Sequence, residues 1–211
     1  MAVQRLSMTI LGLLLSSSAF AHSHGHQMTE AEQQAAKGIF ADADVKDRSL
    51  DDWDGIWQSV YPLLQSGDLD PVFKQKADKD SSKTFDQVKA YYQTGYKTDV
   101  GKIEIENKAM TFYQGDKSAS CEYRYDGYKI LHYASGKKGV RYLFSCTDSA
   151  SQAPKFVQFS DHTIGPRKSQ HFHIYTGNSS QAELLKQMDN WPTYYPEQLY
   201  ARQVVDEMLH H

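Results

Sequence analysis

Two hydrophobic periods divide the chain. Between Thr29 and Gly95 apolar residues recur at helical spacing, and from Thr98 to Thr176 they alternate as in strands. Thr29 is placed to cap a helix running through Phe40. Ser49 and Asp52 resemble a capping box, with Asp standing in for Glu, and Leu50, Trp53, Ile56, Trp57, Val60 and Leu64 follow on one helical face to a stop at Gly67. Asp70-Pro71 opens a third helix, since proline is tolerated in the first turn. Thr84 caps a fourth, with Phe85, Val88, Tyr91 and Tyr92 on its face and Gly95 at its end.

The period-two region reads as a meander of short antiparallel strands. Ile103 and Ile105 alternate with glutamates, Asn107-Lys108 turns the chain into 109–113, and Cys121, Tyr123 and Tyr125 alternate up to Asp126-Gly127, a strong hairpin signal. Ile130 to Tyr133 and Val140 to Cys146 flank a Ser135-Gly136 turn; Phe156 to His162 and His171 to Thr176 complete some seven strands. So long a run of consecutive strands curls into a barrel or sandwich. Ser180 to Asp189 and Glu197 to Leu209 read as two short closing helices, joined by the aromatic linker Trp191 to Pro196. The expected organisation is one domain over 29–211: helical over 29–97, strands over 98–177, helices over 178–211.

The N-terminus changes the compartment. Arg5 precedes an apolar run, Met8 to Leu15, and small residues lead to Ala19-Phe20-Ala21, an A-x-A cleavage pattern. This is a signal peptide over 1–21, cut after Ala21 and too short to span a bilayer. No cysteine stands at the junction, which argues against a lipid anchor, and no later segment is apolar for long enough to cross a membrane. Removing Arg5 takes the formal charge from −3 to −4, so there is no basic surface for nucleic acid. Cys121 and Cys146 sit in alternating runs; in an oxidising compartment they are expected to form a disulfide, and they lack the close C-x-x-C partner that zinc ligation would need.

The remaining chemistry is histidine. His171 and His173 share one strand face with Tyr175, while Phe172 and Ile174 face the other way. His162 lies before a Gly165-Pro166 turn that can return it beside the pair. Three imidazoles pointing into a barrel would each need a partner if buried and would repel one another if charged. A divalent cation removes both costs. Three exposed or singly bonded histidines remain the competing reading on these residues alone. Asp161, on the alternate face, is not a candidate ligand. Cleavage after Ala21 would expose His22-Ser23-His24, whose terminal amine, amides and third-position imidazole suit square-planar Cu(II) or Ni(II); a loose metal-gathering tail of His22, His24 and His26 in a flexible 22–28 segment is the alternative. His132 reads as a structural polar residue, and His210 and His211 as no more than weak binders.

Several stretches together resemble the ZinT (YodA) family of bacterial periplasmic zinc- and cadmium-binding proteins. They are Asp51 to Leu64, Tyr125 to Leu131, Ser135 to Phe144, Gln158 to His162, His171-Phe172-His173 and Asn190 to Pro196, in order along nearly the whole mature chain. The resemblance implies a lipocalin-like (calycin) β-barrel with added helices, a disulfide, and Zn(II) or Cd(II) held by His162, His171 and His173. It also implies a partner, the substrate-binding component of the zinc ABC importer, ZnuA. A metal-binding role is expected rather than catalysis. A zinc hydrolase or hydratase, which three histidines and an open position could also support, lacks an H-E-x-x-H or comparable signature. Carriage of a small apolar ligand is the third possibility, disfavoured by inward histidines. Because ligating imidazoles must be neutral, metal affinity is expected to fall below about pH 6.5.

Overall fold

The computed structural model describes residues 28–210; the signal peptide expected at 1–21, the histidines His22, His24 and His26, and His211 lie outside them. Among the described residues eight antiparallel strands close a barrel in sequence order. They are β1 (Gly55–Ser59), β2 (Lys102–Glu106), β3 (Ala109–Gln114), β4 (Lys117–His132), β5 (Lys138–Cys146), β6 (Phe156–Ser160), β7 (Phe172–Gly177) and β8 (Thr193–Pro196). The lipocalin-like barrel expected from the sequence is present, but its seam is made by two strands that the hydrophobic period does not reveal.

The first is β1. A single helix over 50–64 was the expectation; instead Leu50–Trp53 is one 3₁₀ turn, β1 follows, and only Tyr61–Ser66 is α-helical. Gly55 opens β1 at φ +140°, a conformation that favours glycine. Trp57 then points into the barrel while its neighbour Ile56 stays 42% exposed, so the apolar residues that matched a helical face are divided among three elements. The second is β8, inside the aromatic linker. Its flanking prolines suppress the strand signal, yet Tyr194 and Tyr195 pair with Ser59 and Gln58 of β1. The Gln58 carboxamide donates to the carbonyls of Pro196, Glu197 and Leu199 and so holds the strand end in place. The segments 29–97 and 178–211 are thus not purely helical: each contributes one of the two closing strands.

Asp126-Gly127 is no hairpin either. β4 runs straight through it, and the register to β5 shifts between Tyr125 and Gly127 as a bulge. Glycine at φ +96° permits the bulge. The next turn, expected at Ser135-Gly136, is present at 133–137, where Gly136 has φ +79°, and the resulting β4–β5 pair is the longest in the barrel. Cys121 of β4 and Cys146 of β5 form the expected disulfide across a sequence separation of 25, a loop whose closure contributes about 3 kcal/mol in the chain-entropy picture.

The helices are α1 (Glu30–Ala36), α2 (Tyr61–Ser66), α3 (Asp70–Lys79), α4 (Phe85–Tyr96), α5 (Gln181–Leu185) and α6 (Ala201–His210). Capping boxes at Thr29 with Glu32 and at Thr84 with Gln87 start α1 and α4 where expected, and Gly67 ends α2 at φ +88°. α1 stops before Phe40 because Gly38 turns left-handed and its carbonyl accepts from the Lys138 N–H. The closing helices are shorter than the pattern suggested. No helix among the described residues is long and apolar enough to cross a membrane.

Two cores result. One fills the barrel: Trp53 is fully buried, stacked on Phe159 at 4.7 Å with the edge of Phe144 against it, and Phe172 and Tyr194 stack beside them. The other, outside the barrel, packs Leu64, Phe73, Val88, Tyr96 and Val204 of α2, α3, α4 and α6 against Tyr195. Strand alternation therefore sends Tyr194 into the barrel and Tyr195 toward the helices.

Candidate metal centre

The same alternation places the histidines. Phe172 and Ile174 belong to the barrel core, so His173, between them on β7, faces outward toward the helical layer. The expectation that the histidines point into the barrel is therefore wrong: the strand sends its aromatic residues in. β6 ends at Ser160, opposite His173, two residues earlier than the alternation suggested. His162 is delivered by the turn that follows, at φ +63°, a left-handed conformation that is uncommon outside glycine and worth noting at a site. His171 immediately precedes β7 and stacks on Tyr195 at 5.0 Å with an interplanar angle of 12°.

The three side chains converge. One ring nitrogen from each of His162, His171 and His173 lies within 4.8 Å of the others, and the Nε2 atoms of His162 and His173 are 3.3 Å apart. Nitrogens about 2.05 Å from a tetrahedral zinc ion lie about 3.3 Å from each other, so one pair already has the separation that a shared ion imposes. The rings line a cavity of about 260 Å³ together with Tyr96, Trp191, Thr193 and Tyr195. Burial pushes the hydroxyls of Tyr96 and Tyr195 well above the ordinary tyrosine range. They stay neutral, which leaves the imidazoles as the good donors on this wall. His132 lies apart at the end of β4, 3.9 Å from Asp42, and His210 bonds the Asp206 carbonyl within α6.

What holds His162 in place was not legible in advance. The turn carrying it is tied to the segment before β1 through Arg48. The guanidinium donates to Asp161 and Asp52, each at 2.7 Å, and to the Arg167 carbonyl at 2.7 Å. Burial works against the charge on Arg48, but the carboxylates of Asp161 and Asp52 outweigh it and its pKa is raised. Asp52 does not cap its own turn; it accepts from the Arg167 N–H, and its carbonyl accepts from Ser169. Asp161 also accepts from the Thr163 N–H. The one hint in the sequence was Asp161 itself, since a carboxylate beside buried strand residues needs a cation. Thr193, whose hydroxyl lies 2.7 Å from His173 Nδ1, was hidden in the linker now seen to be β8.

Residues 31–211 match the model of a family described as ZinT (YodA) periplasmic lipocalin-like zinc-recruitment. The chain is 49% identical over 185 residues to the zinc-binding lipoprotein AdcA of Streptococcus pneumoniae, covering 88% of this chain and 37% of AdcA, so it spans little more than a third of that relative. It is 45% identical over 182 residues to the probable metal-binding protein YrpE of Bacillus subtilis, covering 86% of this chain and 72% of YrpE. A crystal structure of the Zn(II)-bound ZinT-like domain of S. pneumoniae AdcA superposes with a TM-score of 0.81 at 50% identity, covering 83% of this chain and 97% of that one. Zn(II)-bound AdcA itself gives 0.83 at 49% identity, over 87% of this chain and 40% of the other. The chain belongs to the ZinT (YodA) family.

Proposed function

We propose that this protein captures Zn(II) in the cell envelope, through His162, His171 and His173. The observation that carries this reading is the convergence of three imidazole nitrogens within 4.8 Å on one wall of a cavity. It is supported by the zinc-bound state of the AdcA structures to which the chain is similar. Cd(II), close to zinc in its ligand preference, competes for the same donors. The location we propose is the periplasm, reached by cleavage after Ala21. The captured zinc passes to the substrate-binding component of a zinc ABC importer. Binding is favoured over hydrolysis because the carboxylate beside His162, Asp161, is engaged by Arg48 rather than held as a free base. Carriage of an apolar ligand is disfavoured because aromatic side chains already occupy the barrel interior.

Zinc that binds only the folded chain stabilises it by about 2.7 kcal/mol at a hundredfold excess over Kd. For a domain of this size the Tm should rise by about 5–11 °C and fall back on chelation. A Tm that does not respond to zinc contradicts the reading. The N-terminal histidines His22, His24 and His26 form a second, weaker site in this account, taking Cu(II) or Ni(II) at the processed terminus. N-terminal sequencing of the exported protein and a Cu(II) titration check it: His22 as first residue and a visible d–d band are expected, and a different terminus or no band removes it.

A further inference from the structure

We propose that Thr193 sets the tautomer of His173, holding the proton on Nδ1 and leaving Nε2 as the metal donor; as a statement about metal binding this rests on the three-histidine site. β7 and β8 pair with His173 opposite Thr193, which puts the hydroxyl 2.7 Å from His173 Nδ1. The same hydroxyl lies 3.0 Å from the carbonyl oxygen of Trp191. A carbonyl only accepts, and a hydroxyl has one hydrogen to give. Both contacts are hydrogen bonds in one arrangement alone: the hydroxyl donates to Trp191 and accepts from His173 Nδ1–H. A neutral imidazole carries one N–H, so Nε2 keeps its lone pair. That nitrogen is the one 3.3 Å from His162 Nε2. Thr193 is only 2% exposed, so bulk water does not compete for the hydroxyl.

The carbonyl that accepts from the Thr193 hydroxyl is itself fixed. The Trp191 N–H donates to Gly95 at the end of α4, and the Asn190 carboxamide donates to the carbonyls of Thr94, Gly95 and Lys97. Gly95 has no Cβ, and a Cβ there would lie 2.4 Å from the Trp191 ring. The close approach of the segment before β8 to the end of α4 thereby fixes the direction of a hydrogen bond whose far end is a ring nitrogen of the candidate metal centre. Thr193 is a positioning residue in this scheme: it orients a ligand and touches no metal.

Long-range ¹H–¹⁵N NMR of the imidazoles in the metal-free protein tests the idea directly. His173 should show the Nδ1–H pattern in the wild type and in Thr193→Ser, which keeps the hydroxyl. In Thr193→Val, which keeps the shape without it, the Nε2–H form should appear. Zinc affinity measured by competition with a chromogenic chelator should fall about 10–100-fold in the valine variant and recover in the serine variant. An Nε2–H pattern in the wild type overturns the proposal, even if the valine variant fails to fold. So does a valine variant with unchanged tautomer and affinity. If the wild type binds no zinc but shows the tautomer pattern intact, the hydrogen-bond lock is supported and the three-histidine reading falls instead.

Discussion

Replacing His173 with alanine should weaken zinc binding by more than about 100-fold, because losing even a residue that only orients a ligand costs about 10–100-fold. Both ring nitrogens of His173 are engaged: its Nε2 approaches His162 and its Nδ1 lies against the Thr193 hydroxyl. Its neighbours Phe172 and Ile174 supply the packing of β7, so the barrel should persist without the imidazole. Circular dichroism and thermal unfolding of the metal-free variant should therefore match the wild type, while competition titration with a chelator shows the lost affinity. Equal affinity in the variant would remove His173 from the site. A collapsed fold would instead assign the ring a structural role that its half-buried, outward position does not suggest.

The second large effect lies at Arg48, far from the histidines in sequence. Arg48→Met should destabilise the protein by about 3–5 kcal/mol, the range for breaking a buried ion pair from one side. The side chains of Arg48 and Asp161 are 0% and 1% exposed, so the substitution strands a carboxylate that has little access to water. Asp161 Oδ2 already lacks a hydrogen-bond partner among the described residues, and the neutral Thr163 N–H, 3.2 Å from Oδ1, is left to the carboxylate in place of a guanidinium. For a domain of this size the Tm should drop by about 6–20 °C. Zinc affinity should fall as well, because the Arg48 contacts to Asp161 and the Arg167 carbonyl bracket the turn that presents His162. A double variant, Arg48→Met with Asp161→Leu, should regain stability by removing the stranded charge. If it is no more stable than the single variant, the pair is not the source of the loss.

The histidine cluster was more legible in the sequence than the seam of the barrel. The spacing of His162, His171 and His173 pointed to a cluster, and the structure brings the three together, because strand alternation and one turn constrain where those side chains can go. The face they occupy was misjudged, since both faces of β7 carry large side chains and the pattern does not say which side is the barrel. Phe172 and Ile174 decide that by joining Trp57, Phe159 and Tyr194 inside. β1 and β8 were missed for different physical reasons. β1 is five residues long and set among apolar positions that also fit a helix, whereas β8 follows Pro192 and ends on Pro196, which mark it as a linker. Each is stabilised by pairing with the other and with its neighbour in the barrel, a long-range term that no local pattern carries. The Arg48 network and Thr193 were invisible for the same reason: Arg48 meets Asp161 across 113 residues.

The central claim is that one zinc ion sits among these three imidazoles. A crystal structure of the zinc-loaded full chain, with anomalous data on both sides of the zinc edge, tests it most directly. The predicted result is an anomalous peak about 2.0–2.1 Å from Nε2 of His173 and from one ring nitrogen each of His162 and His171. A well-occupied zinc peak elsewhere on the protein, with none among the three histidines, would contradict it.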